Sequence, residues 1–220
     1  MNSQFLSNTP LFHGIREEEI GSLLPCLEPR ESHYKKDEII YRAGDTISSI
    51  GLVLKGSVNV VVNFFWGNSN IFGHVERGEI FAETYAILPG RELICDVVAA
   101  EDCDILFLNM NKMLTSCGKG CTFHQRLIHN IVRISAEKNL GLSNRMMHIA
   151  SKSIRDRLLS YLSEQALVNG RISFSIPFSR QQLADYLGVD RSALSNELSK
   201  MQKDGLITYQ KNNFTLNSEF

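Results

Sequence analysis

Five glycines, Gly44, Gly56, Gly67, Gly78 and Gly90, follow one another at intervals of 12, 11, 11 and 12 residues. Between them lie EIIY, IGLVL, VNVVVNFFW and NIFGHV, runs rich in β-branched and aromatic residues. Each run is long enough for one short strand. A glycine at each interval supplies the positive φ that tight turns between antiparallel strands require. Short strands repeated every 8–12 residues or so specify a sandwich, barrel or jelly roll. The N-terminal half is therefore expected to form an antiparallel β roll of jelly-roll type. Phe64, Phe65 and Trp66, just before the Gly67-Asn68 turn, are expected to pack a hairpin on its core.

Near residue 120 the period changes. Leu127, Ile131, Ile134 and Leu142 recur at helical intervals. No proline or glycine interrupts residues 121–140, so a helix about 30 Å long is expected at 121–142. Its apolar stripe either packs on its own domain or pairs with a second copy, and a symmetric helix pair builds a homodimer. A second amphipathic helix, SIRDRLLSYLSEQAL, stops at Asn169-Gly170, and FSIPF follows as a short strand. Two short helices joined at Gly188 come next, then LITYQKNNFTL, which reads as two strands around Lys211-Asn212-Asn213. The fold class is α+β. Residues 1–144 form a sensor-like domain with the long helix, and residues 145–220 form a small helical domain with a β hairpin.

The segment SRQQLADYLGVDRSALSNELSKM, Ser179 to Met201, carries the functional signal. Ser179 caps its first helix, and Leu183, Ala184 and Leu187 give that helix a compact inner face. Gly188 takes the sharp turn, Val189 fills the angle, and Asp190 caps the second helix. Leu194, Leu198 and Met201 fall at i, i+4, i+7 and face inward. Arg191, Ser192, Ser195, Asn196 and Ser199 are thereby pushed to the solvent side, a surface of one cation and several short hydrogen-bonding groups. Such a surface suits base edges and phosphates in a major groove. An αα-hairpin with a merely polar outer face is the plainer reading. The strand hairpin that follows, with Lys211 at its tip, makes the unit a winged helix-turn-helix. The DNA-facing set is then Ser179, Arg180, Arg191, Ser192, Ser195, Asn196, Lys200 and Lys211.

Charge agrees in sign with that assignment. Residues 145–220 hold 10 Lys and Arg against 7 Asp and Glu, whereas the rest of the chain holds 13 against 17. The overall balance is −1, so bulk charge alone announces neither nucleic acid nor membrane. No apolar run approaches the roughly 18 residues of a membrane span. The start, MNSQFLSNTP, has no basic or apolar segment of a secretory signal. The five cysteines form no C-x-x-C pair and read as reduced thiols of a cytoplasmic protein. The sequence has no P-loop, no G-x-G-x-x-G turn, no H-E-x-x-H and no G-x-S-x-G, so no short motif argues for an enzyme.

These stretches resemble the Crp/Fnr transcription regulators over nearly the whole chain. The matching segments are EIIYRAGD, IGLVLKGSVNVVV, RGEIFAET, SIRDRLLSYL and FSRQQLADYLGVDRSALSNELSKMQKDGLI. The resemblance implies a cyclic-nucleotide-binding-like β roll, a dimerisation helix and a winged helix-turn-helix that binds double-stranded DNA as a homodimer. RNA polymerase is a further candidate partner. A two-fold dimer implies a palindromic operator with half-sites ~34–36 Å apart. The resemblance also places Arg191, Ser192, Ser195 and Asn196 at base-reading positions. Well-known members usually carry Glu where Ser192 stands and Arg where Asn196 stands, so this chain is expected to read a different site.

In members that bind cyclic nucleotides, a Glu holds the ribose, and an Arg-Ser or Arg-Thr pair ten residues later meets the phosphate. Here the Glu is Glu83, and Leu93 and Ile94 stand ten residues on. Arg91 is two residues early. A buried phosphate without a cationic partner is costly, so the effector is expected not to be a cyclic nucleotide, and Glu83 is expected to be a solvated or capping carboxylate. The alternative is a redox- or metal-responsive regulator using Cys95, Cys103, Cys117 and Cys121, with His124 at i+7 from Cys117. A less favoured alternative is an adaptor that has lost DNA binding. A cupin-type enzyme would need clustered ligands, and residues 33–110 offer only His33 and His74. No cofactor or metal is expected. His33, His129 and His148 read as surface or internally satisfied histidines.

Overall fold

The computed structural model describes residues 2–64, 67, 69–115 and 122–217. The chain divides into two compact units, Met1–Glu137 and Lys138–Phe220. In the first unit, α1 (Ser3–Ser7) and α2 (Glu17–Leu23), with a 3₁₀ turn at Leu24–Leu27, precede the strands. The strands are β1 (Arg30–Tyr34), β2 (Ile39–Tyr41), β3 (Ser49–Lys55), β4 (Val58–Asn63), β5 (Ser69–Val75) and β6 (Ile80–Phe81). Then come α3 (Glu83–Ile87), β7 (Asp96–Ala99), β8 (Cys103–Asn109), α4 (Met110–Leu114) and the long α5 (Thr122–Ile149).

The strands form two antiparallel four-stranded sheets, ordered β1-β8-β3-β6 and β2-β7-β4-β5. The expected β roll is present. Period-two alternation assigns each side chain of β8 to a layer. Cys103, Ile105 and Phe107 face the interior of the roll with Val53, Val58, Phe81, Val97 and Ala99. Leu106 and Leu108 face the other way, into a cluster closed by Leu6, Phe12, Ile20 and Leu127. Both faces of β8 are apolar because helices cover the outer one.

All five evenly spaced glycines have positive φ. Gly56 shows why the position is strict: its φ is +75°, and a Cβ there would stand 2.6 Å from the Asp102 carbonyl oxygen. Gly51 obeys a different demand. Its backbone is an ordinary strand, but a Cβ would lie 2.1 Å from the ring of Phe81, a side chain with no room to retreat. Phe65 and Trp66 lie outside the described residues, and Phe64 is exposed rather than packed on the core.

Helix α5 is longer than the expected 121–142 and passes through Gly141 to Ile149. Leu127, Ile131 and Ile134 are buried in the first unit, and the buried Asn130 amide donates to the carbonyls of Leu11 and His13, both at 2.9 Å. Leu142, which the periodicity groups with that stripe, is exposed instead. The stripe thus divides, one part packing on its own chain and the other left bare.

The second unit adds α6 (Ile154–Asn169), β9 (Ser173–Ser175), α7 (Arg180–Leu187), α8 (Arg191–Lys203), β10 (Ile207–Gln210) and β11 (Asn213–Leu216). Its helix ends follow the sequence signals. Ser153 caps α6, Gly170 closes it at φ +63°, Ser179 and Gln182 form a capping box on α7, and Gly188 closes that helix at φ +64°. The hairpin β10–β11 pairs onward with β9, the short strand expected at FSIPF, to make a three-stranded sheet.

Gly51→Ala is expected to lower the stability of the first unit by about 1–3 kcal/mol, the usual cost of overpacking a rigid neighbour. Denaturant unfolding followed by strand-sensitive circular dichroism would measure it. A loss below a few tenths would mean that Phe81 can move aside.

Candidate nucleic-acid interface

The inner side of α8 is fixed by Leu194, Leu198 and Met201, all fully buried in the core of the second unit beside Leu158, Leu183 and Leu187. At 3.6 residues per turn the opposite side is then Ser192, Asn196, Ser199 and Lys203, with Lys200 beside them, all exposed. Arg191, the first residue of α8, is also exposed. Asp190 caps the helix, accepting from the amides of Ser192 and Ala193 at 2.8 and 3.1 Å. The Ser192 hydroxyl donates to the same carboxylate. These bonds hold the Asp190 carboxyl below the usual carboxylate range, the hydroxyl of Ser192 contributing most.

The serines expected to face DNA are largely occupied at home. The Ser195 hydroxyl donates to the Arg191 carbonyl at 2.9 Å, and Ser199 to the Ser195 carbonyl at 3.0 Å. Ser179 is the N-cap of α7, accepting from the Gln182 amide at 3.3 Å. Arg180 is turned to the wing. It donates to the Lys211 carbonyl at 3.1 Å, and its guanidinium lies 5.2 and 5.8 Å from the ring centres of Tyr209 and Phe214, a stacked cross-strand pair. Lys211 itself, at φ +53°, stands exposed at the wing tip.

Three further arginines, which the sequence reading missed, hold the reader in place. Arg155 on α6 bridges Glu197 and Asp204 of α8 at 2.6 and 2.7 Å. Arg145 donates to the carbonyls of Tyr186 and Asp185, and Arg157 to those of Leu187 and Gly188, so the last carbonyls of α7 are satisfied by cations. His148 is buried, 3.0 Å from both Glu164 and the Tyr186 hydroxyl, an internally satisfied histidine as expected. Of the ten cations in residues 145–220, four are therefore spent inside the unit. Arg191, Lys200, Lys203 and Lys211 remain on the reading face. Lys203 was legible as seven residues beyond Asn196, nearly two helical turns along the same row.

The first unit carries the other candidates. Glu83 opens α3 after Ala82, which has φ +64°, and it is only 7% exposed, so of the two expected readings, solvated or capping, burial removes the solvated one. Arg91 is exposed in the following turn. Leu93 is 3% exposed and Ile94 74%. The place where a phosphate-binding pair would stand is apolar. Cys95 and Cys103 are both buried. Burial pushes both thiols up, aided by Asp96 beside the first and Asp104 beside the second, and Cys103 reaches about 11. Protonated buried thiols are poor nucleophiles and poor metal ligands. Cys117 and Cys121 lie outside the described residues. His124 is buried, and its Nδ1 has no hydrogen-bond partner among the described residues. Among those residues no three His, Cys, Asp or Glu side chains gather as a metal site, and no helix is long and apolar enough to cross a membrane.

A β roll followed by a winged helix-turn-helix with a polar recognition face defines a two-domain DNA-binding regulator. Comparison with known proteins agrees. Residues 31–119 match the cyclic nucleotide-binding domain family, and residues 156–219 match the Crp-like helix-turn-helix domain. The transcriptional activator protein FnrL of Cereibacter sphaeroides is 21% identical over 197 residues, covering 85% of this chain and 76% of its own. The regulatory protein HlyX of Actinobacillus pleuropneumoniae is 21% identical over 208 residues, covering 92% and 84%. Among solved structures, CprK complexed with OCPA superposes with a TM-score of 0.67 at 13% identity, covering 91% of this chain and 90% of that one. CLP, the c-di-GMP responsive global regulator of Xanthomonas campestris, gives 0.59 at 18%, covering 91% and 98%. The chain belongs to the Crp/Fnr family of transcription regulators.

The Asp190 cap titrates. Its carboxyl is depressed in the folded state, so its contribution is complete at neutral pH and is lost as pH falls below about 4, through the folded value. Asp190→Asn keeps a capping side chain without that titration. Denaturant midpoints of the second unit are expected to fall less steeply between pH 5 and about 2 in the variant. Identical acid profiles would show that the cap does not report on folding.

Proposed function

We propose that this chain regulates transcription as a homodimer that binds a palindromic DNA site through α8 and the β10–β11 wing. The observation that carries the reading is the outward face of α8, where Arg191, Asn196, Lys200 and Lys203 stand exposed and Glu197 is turned away to Arg155. Arg191 has the fork that meets guanine, and the lysines suit phosphate. Arg180 positions the wing, and Lys211 contacts the phosphate backbone. The protein acts in the cytoplasm, and contact with RNA polymerase follows DNA binding.

Helix α5 supplies the dimer seam. Ile128, Val132, Ser135, Asn139, Leu142, Met146 and Ile149 recur at alternating intervals of four and three residues, the spacing of a two-helix coiled coil. Val132, Leu142 and Met146 are exposed, whereas Leu127, Ile131 and Ile134 on the other side are buried on their own chain. A bare apolar row with a heptad period fits a second copy of the same helix. Replacing both Val132 and Met146 with Asp is expected to convert dimers to monomers in sedimentation, with site-specific DNA affinity falling alongside. A dimer that survives the double substitution places the seam elsewhere.

The effector is not a cyclic nucleotide in this reading, because Leu93 and Ile94 give a phosphate no cationic partner. The thiol-based alternative draws no support from Cys95 and Cys103, whose burial holds them protonated. The reading is tested by equilibrium binding of the full chain to a selected duplex and to random DNA at several salt concentrations. Site preference with steep salt dependence is expected, unchanged by added cyclic nucleotide. Arg191→Ala should weaken specific binding by about 1–3 kcal/mol, and Lys211→Ala should reduce the salt slope by about 1. Equal weak binding to every duplex would favour an adaptor instead.

A further inference from the structure

We propose that Asn196 is the residue that sets the base sequence of the site, by reading an adenine in each half-site. The inference rests on the DNA-binding reading above and adds to it the identity of the base. Asn196 lies on the middle turn of α8, directly across the helix from the buried row Leu194, Leu198 and Met201. No rotation of the helix can bury it without exposing that row.

The neighbouring hydroxyls are committed. Ser192 donates to Asp190, Ser195 to the Arg191 carbonyl and Ser199 to the Ser195 carbonyl. Each retains acceptor capacity only, so these serines discriminate weakly between bases. Asn196 is exposed, and among the described residues nothing engages its amide. It therefore keeps one donor, Nδ2, and one acceptor, Oδ1, side by side and rigid.

That pair matches one base edge in the major groove. Adenine presents the N7 acceptor next to the N6 donor, and an asparagine amide meets both at once. Guanine presents two acceptors, so the Asn196 carbonyl oxygen would face O6; that edge suits the all-donor fork of Arg191. Cytosine and thymine each offer a single polar group and cannot engage both amide atoms. With a two-point reader for adenine on the outward row and one for guanine at the first turn of the helix, the half-site should contain both bases.

The test uses the full chain and a pool of random-sequence duplexes, with Asn196→Ala and Asn196→Asp selected in parallel. Asn196 is exposed, so neither substitution disturbs the core, and circular dichroism and DNA-independent sedimentation would verify that. The wild type is expected to select a site containing an adenine whose replacement weakens binding about ten- to a hundredfold. In Asn196→Ala that same replacement should matter less than about twofold. Asn196→Asp has the same shape but accepts only, and it should shift the preferred base there to cytosine, whose N4 donates. Variants that keep the wild-type preference at every position would overturn the role of Asn196 while leaving DNA reading intact. A wild type that selects no sequence at all would overturn the DNA-binding reading and this inference with it.

Discussion

The burial of Leu194, Leu198 and Met201 fixes the rotation of α8, and the rest of the DNA-facing unit is arranged to keep that helix from turning. Three apolar side chains on one stripe set an axis of rotation but not an axial position. Arg155 supplies the second constraint by joining α6 to Glu197 and Asp204, two points seven residues apart on α8. Asp190 supplies the third by closing the N-terminal turn. A reading helix needs this degree of definition. Base-edge hydrogen bonds require donors and acceptors placed within a few tenths of an ångström, whereas phosphate contacts tolerate more. On the polar outer face Ser192 and Ser199 bond within the helix, whereas Asn196 is exposed and can change at little cost to the unit that carries it.

The same separation explains what was legible in the sequence. The helix ends of the second unit were readable because capping is local: Ser179, Gly170, Gly188 and Asp190 each act within a turn of their own position. The β roll was readable because its turns demand positive φ at regular intervals. The inward row of α8 was readable from its i, i+4, i+7 spacing. The fate of individual cations was not. Arg145, Arg155, Arg157 and Arg180 look like a basic surface in a charge count, and the fold turns all four inward to carbonyls, carboxylates or aromatic rings. Most of their partners lie about 30 to 50 residues away in sequence, and no local pattern announces them. Burial of Glu83 was likewise not legible, since its sequence neighbours do not announce it.

The sensor-like unit is pinned at positions where backbone and ring leave no room for a side chain. Gly51 is held by the ring of Phe81, and Gly56 by the backbone at Asp102 and Cys103, so the β3–β4 corner and the β6 edge cannot drift without breaking the core. The segment after α3 is mixed: Leu93 is buried and its backbone pairs with Gly44 and Asp45, whereas Ile94 and Arg91 are exposed. A ligand site at the edge of a close-packed core can be rewritten by two substitutions while the core stays as it was. The match of residues 31–119 to cyclic nucleotide-binding domains accords with this packing.

Helix α5 joins these two regimes. Its inner face is specified by one chain, with Leu127, Ile131 and Ile134 in the first unit and His148 in the second. Its outer row keeps Ser135 and Asn139 between apolar positions, where a purely stabilising seam would carry leucine or isoleucine. A polar side chain at a core position of two paired helices lowers stability and excludes staggered or higher-order pairings, because each misalignment would leave an amide buried against hydrocarbon. In the homodimer proposed above, such positions would favour one alignment of the two copies over a stronger but less defined contact.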